Sequence, residues 1–285
     1  MIVQRLFRLG PGFMLASVLA AGAWVPVSRA WAGQAAAGPL VFAGSGTNIT
    51  VTHILAQAFA RKHPEITIEI PGSIDSTGGI RAAADGAITL GLISRSLKED
   101  EKALGLTVLP YARTATVLAA HPTVPDTGLS SEELVQIYRG IRTRWSDGSE
   151  IVVLTRDPDD SAIEILARGV PGFLEAYQAS HRAKRWTTLY SVQEMNRALV
   201  RTPHALGITD LGTVTAERLP VKVLKLNGIF PSEETIRAGR YPLSRTLAFV
   251  FRPDRLPPEA RAFVEFARSE EGQRIVRASG YLPGE

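Results

Sequence analysis

Three stretches of this 285-residue chain place small, mostly hydroxylated residues where a helix should begin close behind an apolar run: Gly44-Ser45-Gly46-Thr47-Asn48, Ser76-Thr77-Gly78-Gly79 and Asp160-Ser161. Backbone N–H groups in the first turn of a helix have no partner within the helix, and the helix dipole adds partial positive charge there. Such a start attracts an oxyanion. Glycine permits close backbone approach, and Ser or Thr adds a hydroxyl donor. The other chemistry open to these residues is plain capping, in which the hydroxyl satisfies the helix's own N–H groups. The recurrence of the pattern favours a shared anion. Arg95 and Arg156 each follow a strand directly, at the end where open α/β sheets bind ligands. Their planar forks match a tetrahedral oxyanion or a carboxylate. Arg156 carries a second reading, as a surface arginine paired with Asp157 or Asp159.

Other chemistries fit poorly. The chain has no cysteine, which removes disulfides, Cys-ligated zinc, iron–sulfur clusters and thiol nucleophiles. His53, His63, His121, His181 and His204 are scattered without H-E-x-x-H or i,i+4 spacing, so no metal is expected. No G-x-x-x-x-G-K-[ST] or G-x-G-x-x-G loop occurs, and Gly44-Ser45-Gly46-Thr47 lacks the following lysine. No G-x-S-x-G elbow surrounds Ser45 or Ser76. No catalytic residue and no cofactor is expected. Trp145 and Trp186 read as core or rim residues.

Alternating strand and helix signals must position these loops. Leu40-Val41-Phe42-Ala43 is a buried strand, and Val51, Leu55, Ala58 and Phe59 form one helix face. Ile66, Ile68 and Ile70 alternate as a strand, and Leu90 to Ile93 leads into Ser94-Arg95. Val108-Leu109, Thr114 to Ala120, Ile151 to Thr155, Val221 to Leu226 and Thr246 to Phe251 predict further strands. Ser130 with Glu133, and Ser191 with Glu194, are capping boxes. A helix follows Ser161 to about Arg168, and Pro257 to about Ala278 forms two amphipathic helices. Interleaved strands and helices imply α/β layers.

The start of the chain reads as a targeting signal. Arg5 and Arg8 precede an uncharged run from Leu9 to Ser28, and Ala30-Trp31-Ala32 closes it. These are the three parts of a cleavable secretory signal over residues 1–32. An uncleaved anchor is the alternative, weakened by Gly10-Pro11-Gly12, Gly22 and Pro26. No cysteine follows to carry a lipid. Arg5, Arg8 and Arg29 are the charges in that segment, so removing it turns 32 Lys and Arg against 28 Asp and Glu into 29 against 28. A nearly neutral mature surface argues against nucleic-acid binding by bulk electrostatics.

With these segments in place, the chain resembles the periplasmic phosphate-binding proteins of ABC importers, in the type II solute-binding superfamily. Beyond the first two loops, the resemblance is carried by Gly91-Leu92-Ile93-Ser94-Arg95-Ser96-Leu97-Lys98 and by Leu129 to Trp145. It continues through Ala205 to Asp210, Tyr241-Pro242-Leu243-Ser244-Arg245-Thr246-Leu247, and Glu271 through Pro283. It implies an α/β fold of two lobes on a two-strand hinge, with the ligand in the cleft between them. Residues 38–120 and 240–285 would form lobe I, and 121–239 lobe II. Ser45, Gly46, Thr47 and Asn48, then Ser76, Thr77 and Gly78, would hold the ligand from two loops. Ser94 and Arg95 would line the first lobe's edge, and Arg156, Asp160 and Ser161 would come from the second lobe.

Two departures stand out. The family usually shows Gly-Ser-Gly-Thr after the second-lobe arginine, where this chain has Asp159-Asp160-Ser161-Ala162. The family's best-known members place an aspartate near Arg95 to accept the proton of hydrogen phosphate. The expectation is a monomeric, exported, non-enzymatic protein that binds phosphate or a similar oxyanion and delivers it to an ABC permease. The alternatives are a sensor or binding protein for another small acidic solute, and an enzyme acting on phosphorylated substrates.

Overall fold

The computed structural model describes residues 38–284. The expected export signal lies outside these residues. The first apolar run becomes β1 (Leu40–Gly44), which leads through Ser45 into α1 (Gly46–Ala60). Then come β2 (Ile68–Glu69), α2 (Asp75–Asp85), β3 (Leu90–Ile93), the single turn α3 (Glu99–Lys102) and the long strand β4 (Thr107–Ala120). β5 (Gly128–Leu129), α4 (Ser131–Arg139), β6 (Val152–Arg156), α5 (Ser161–Gly169), α6 (Phe173–Arg182), β7 (Thr187–Leu189) and α7 (Val192–Arg201) follow. After β8 (Ala205–Asp210), α8 (Leu211–Ala216), β9 (Lys222–Val223), β10 (Lys225–Leu226) and α9 (Glu233–Arg237), the chain returns along β11 (Ser244–Phe251). It closes with α10 (Pro258–Arg268), α11 (Glu270–Ala278) and β12 (Leu282–Pro283).

The main sheet runs β2-β1-β3-β11-β4-β8-β6-β7, with β9 and β12 also on β4. β4 joins its halves. Thr107 to Ala115 pair antiparallel with β11, and Thr116 to Ala120 pair antiparallel with β8. One apolar core packs α1 and α10 against the β1–β3–β11 side, around Phe42, Leu55, Phe59, Phe249 and Phe263. A second packs α4, α5 and α6 against the β6–β8 side, around Leu134, Tyr138, Leu166, Phe173 and Tyr177. Among the described residues, β4 and the segment from Tyr241 into β11 carry the main sheet's backbone between these two sides, which is a two-lobed α/β architecture with a two-strand crossing.

Several elements differ from expectation. Val108-Leu109 and Thr114–Ala120 predict two strands, yet Pro110 between them, which lacks an N–H for the ladder, does not divide them. They are one strand, and its pairing with β11 is irregular beside Pro110: Leu247 pairs with Ala112 and Ala248 with Pro110, so Tyr111 of β4 is the extra residue. An irregularity there absorbs the missing donor. Val221 to Leu226 is not one strand: β9 pairs with β4, and β10 pairs with β5 in a separate two-stranded sheet. The Ile66–Ile70 alternation pairs only at Ile68–Glu69, on the sheet edge. β6 extends to include Arg156, which is therefore inside the strand rather than beyond it.

Glycines set how closely α2 can approach the sheet. A Cβ on Gly44, at φ +150°, would lie 2.1 Å from the Leu92 carbonyl oxygen, and one on Gly79 would lie 2.9 Å from Gly44 Cα. Only glycine tolerates both contacts. That contact brings the N-terminus of α2 beside that of α1. No helix among the described residues is long and apolar enough to cross a membrane.

Candidate anion-binding site

The starts of α1, α2 and α5 converge. Ser45, Gly46, Thr47, Asp75, Ser76, Thr77, Arg95, Arg156, Asp159, Asp160, Ser161 and Val192 line one small, largely enclosed pocket. The three helix starts differ in how they are capped. Ser45 stands at the N-cap of α1 but makes no side-chain cap bond. Its hydroxyl instead shares a 2.8 Å hydrogen bond with Ser94 Oγ. α2 also has no side-chain cap, and Ser76 Oγ accepts a 3.2 Å bond from the Ser94 N–H. The Asn48 N–H is taken by the Ser45 carbonyl at 3.0 Å and the Asp75 N–H by Ser73 Oγ at 3.3 Å, while the hydroxyls of Ser45 and Ser76 are not spent on capping their own helices. At α5 the cap is real, because Asp160 Oδ1 accepts from the Ala162 N–H at 2.7 Å.

Arg156 is buried, and its partner is neither Asp157 nor Asp159. Its Nε donates to Asp160 Oδ2 at 2.9 Å, and its Nη2 contacts the same oxygen. Asp160 therefore supplies both a helix cap and an internal counter-ion. The other fork nitrogen, Nη1, is buried without a hydrogen-bond partner. A buried guanidinium nitrogen left unpaired costs free energy unless a ligand takes it. Arg95 is committed elsewhere. Both its terminal nitrogens donate to Glu101 at 2.7 Å, and Nη2 also donates to Thr77 Oγ1 at 2.8 Å. This pairing holds the Glu101 carboxyl below the ordinary carboxylate range. Arg95 contributes charge to the pocket wall and holds Thr77, rather than offering a free fork.

Three expected residues do not line the pocket. Asn48 is fully buried and turned inward, its Oδ1 accepting from the Tyr111 hydroxyl at 2.8 Å. Gly78 faces Ile74. Ser94 lies one layer behind, bonded to both Ser45 and Ser161, the latter at 3.0 Å. Three lining residues were not expected. Val192, at the start of α7, closes the pocket against Gly46, where a Cβ would meet its methyl at 3.3 Å. Asp159 is the second carboxylate of the departing loop. Asp75 opens α2 at φ 59°, a left-handed backbone uncommon outside glycine. Burial, and then the facing Asp160, raise the Asp75 carboxyl above its usual range, while Arg156 opposes the shift. Asp75 adjoins the Ser76 motif in sequence, but nothing in its own spacing marked it. Among the described residues no group of His, Cys, Asp and Glu is placed to hold a metal ion.

A family model described as a PBP superfamily domain matches residues 30–271. The chain belongs to that superfamily. Among relatives of this PBP chain, the phosphate-binding protein PstS of Borreliella burgdorferi is 23% identical over 250 residues, covering 83% of this chain and 88% of its own length. PstS of Pseudomonas aeruginosa is 24% identical over 273 residues, covering 86% and 83%. A Clostridium perfringens structure, described as a putative phosphate ABC transporter substrate-binding protein with bound phosphate, superposes with TM-score 0.76 and 25% identity. It covers 87% of this chain and 100% of its own. An ABC-type phosphate transport receptor from Vibrio cholerae superposes with TM-score 0.63, at 22% identity, over 85% of this chain and 99% of its own.

Proposed function

We propose that this protein is an exported, non-enzymatic solute-binding protein that takes inorganic phosphate, or a similar tetrahedral oxyanion, and delivers it to an ABC permease. The observation that carries the reading is the buried, unpartnered Arg156 Nη1 in a pocket faced by two helix starts whose own serines do not cap them. The phosphate-binding names of the relatives support it. Residues 38–115 with 244–284 act as one lobe and 116–243 as the other, because Val117, Leu118, Ala120, Tyr241 and Leu243 pack in the second core, with the hinge inside β4 and at the start of β11. The anion accepts from Arg156 Nη1, from α1 and α2 N–H groups, and from the Ser45, Thr47, Ser76 and Ser161 hydroxyls. Asp75 faces it as a proton acceptor, so an anion that carries a proton gains a partner that a fully deprotonated one does not. Lobe closure excludes water and strengthens each of these contacts.

No nucleophile elbow in the sequence and no metal-ligating cluster among the described residues supports the enzymatic alternative, and a monomer suffices for the role. The test is a thermal-shift panel of phosphate, arsenate, sulfate, molybdate and small carboxylates on the mature protein. A true ligand at 100 times its dissociation constant stabilises by about 2.7 kcal/mol. The expected order puts phosphate and arsenate first. Stabilisation by a carboxylate alone would favour the other-solute reading, and release of phosphate from a phosphate ester would favour an enzyme.

A further inference from the structure

One arginine buried close behind the pocket belongs to neither lobe's loops. Arg245 is the second residue of β11, in register with Thr114, just where β4 passes from pairing with β11 to pairing with β8. It is 6% exposed. Its Nη1 donates to Ser161 Oγ at 2.9 Å and lies 3.5 Å from Ser94 Oγ. Its charge is opposed by Asp210, the last residue of β8, which is fully buried and caps α8 through the Thr213 N–H at 2.9 Å.

A guanidinium only donates. Ser161 Oγ must therefore accept from Arg245, and its single proton is sent away from the hinge. That proton has two destinations, a ligand in the pocket that Ser161 lines or Ser94 Oγ at 3.0 Å. If Ser94 receives it, the Ser94 proton passes to Ser45 Oγ at 2.8 Å, and the Ser45 proton points into the pocket. Ser76 is set in the same way, because its Oγ accepts the Ser94 N–H and leaves its own proton free. The serine cluster thus takes donors from behind and presents donors in front. The same contacts join β1, β3, β11 and α5, so the cluster also ties α5 to the opposite side of the sheet.

The geometry points to Arg245 as a hinge-borne positioning residue that fixes the hydroxyl donors of the anion pocket and clasps Ser161 of α5 onto Ser94 and Ser45. This inference rests on the oxyanion reading of the pocket. It goes beyond that reading by making the hinge strand itself part of the recognition. It also explains why a buried cation persists at the crossing, where an apolar residue would pack more cheaply.

The test removes the donor without unbalancing the buried charge. Removing Arg245 alone would strand Asp210, so the variant is Arg245→Met with Asp210→Asn, which replaces an oppositely charged pair by a neutral one and leaves no side-chain donor at position 245. Inorganic phosphate is titrated calorimetrically into the wild type, this double variant, Ser161→Ala and the triple variant. The double variant should bind about three- to tenfold more weakly, the effect of one oriented hydrogen bond. In the Ser161→Ala background, the same change should cost less than about twofold. An equal loss in both backgrounds overturns the positioning role and leaves Arg245 a structural residue. In a separate phosphate-free arm, hydrogen exchange of the Ser161 to Ile163 amides is followed. It should speed up several-fold in the double variant if Arg245 clasps α5, and unchanged exchange overturns the clasp. If the wild type takes up no phosphate, the function proposal fails by itself and the exchange arm still decides the clasp.

Discussion

Asp160 occupies the N-terminus of α5 and the fork of Arg156, groups that would otherwise face the proposed anion, and that makes it the most informative residue to change. In Asp160→Asn the cap survives, because asparagine ranks with aspartate at that position. What is lost is the charge opposing a guanidinium whose side chain is 2% exposed, against 9% for Asp160. Breaking a buried ion pair from one side costs about 3–5 kcal/mol. The single asparagine oxygen that keeps the cap on the Ala162 N–H leaves an NH2 facing Arg156, so the guanidinium loses its acceptor and the full range applies. At roughly 2–4 °C per kcal/mol for a domain of this size, the ligand-free protein should melt about 6–20 °C lower.

Binding should move the other way. A carboxylate about 6 Å from a singly charged anion repels it by about 3 kcal/mol at an effective dielectric of about 20. Removing that repulsion, and freeing Arg156 for the ligand, should tighten phosphate at least about tenfold. Melting curves with and without phosphate, together with calorimetric titration, measure both effects. Unchanged melting and unchanged affinity would refute the Arg156–Asp160 pairing as described. Weaker binding would refute the competition argument and make Asp160 a ligand contact that takes up the anion's proton.

Three further outcomes are expected. Asp75→Asn should fold, because asparagine tolerates φ near +60° better than most residues, and should lower the phosphate-over-sulfate preference; an unchanged ratio in competition titrations would remove Asp75 as the proton acceptor. Arg95→Ala should cost more in stability than in affinity, since it strands Glu101. The Glu101 carboxyl is held below its usual 4.5, so the pair stabilises the fold above about pH 4.5, and that contribution is lost as pH falls through the lowered folded-state value. Glu101→Gln should flatten this acid limb in melts between pH 3 and pH 6, and an identical limb would contradict the assignment. Small-angle scattering should give a smaller radius of gyration with phosphate than without; the same profile at saturation would remove hinge closure, though not binding.

The strand and helix order was readable wherever periodicity and caps agreed. The box at Ser130 and Glu133 caps α4, and that at Ser191 and Glu194 caps α7, as their spacing predicts. β4 was not readable as one strand, because Pro110 is a local break that the strand passes through an irregularity of its own at Tyr111. The three hydroxylated loops converge as their composition suggested, yet the partners of individual side chains were hidden. Asn48 looks like a pocket donor in sequence but bonds Tyr111, a residue 63 positions away. Arg95 looks like a free fork but meets Glu101 on α3. Arg245 stood in the sequence as part of a strand motif. Only the switch of β4 between β11 and β8 places it behind Ser161, which lies 84 positions earlier.

The central claim, that Arg156 holds a tetrahedral anion with its unpartnered nitrogen, is tested most directly by calorimetric titration of inorganic phosphate into the wild type, Arg156→Ala and Arg156→Lys. One site per chain is expected. Loss of a charge-assisted donor worth about 1.5–3 kcal/mol should weaken the alanine variant roughly 10- to 150-fold. Lysine should recover only part, because a point charge does not reproduce the fork. Equal affinity in all three proteins would contradict the account.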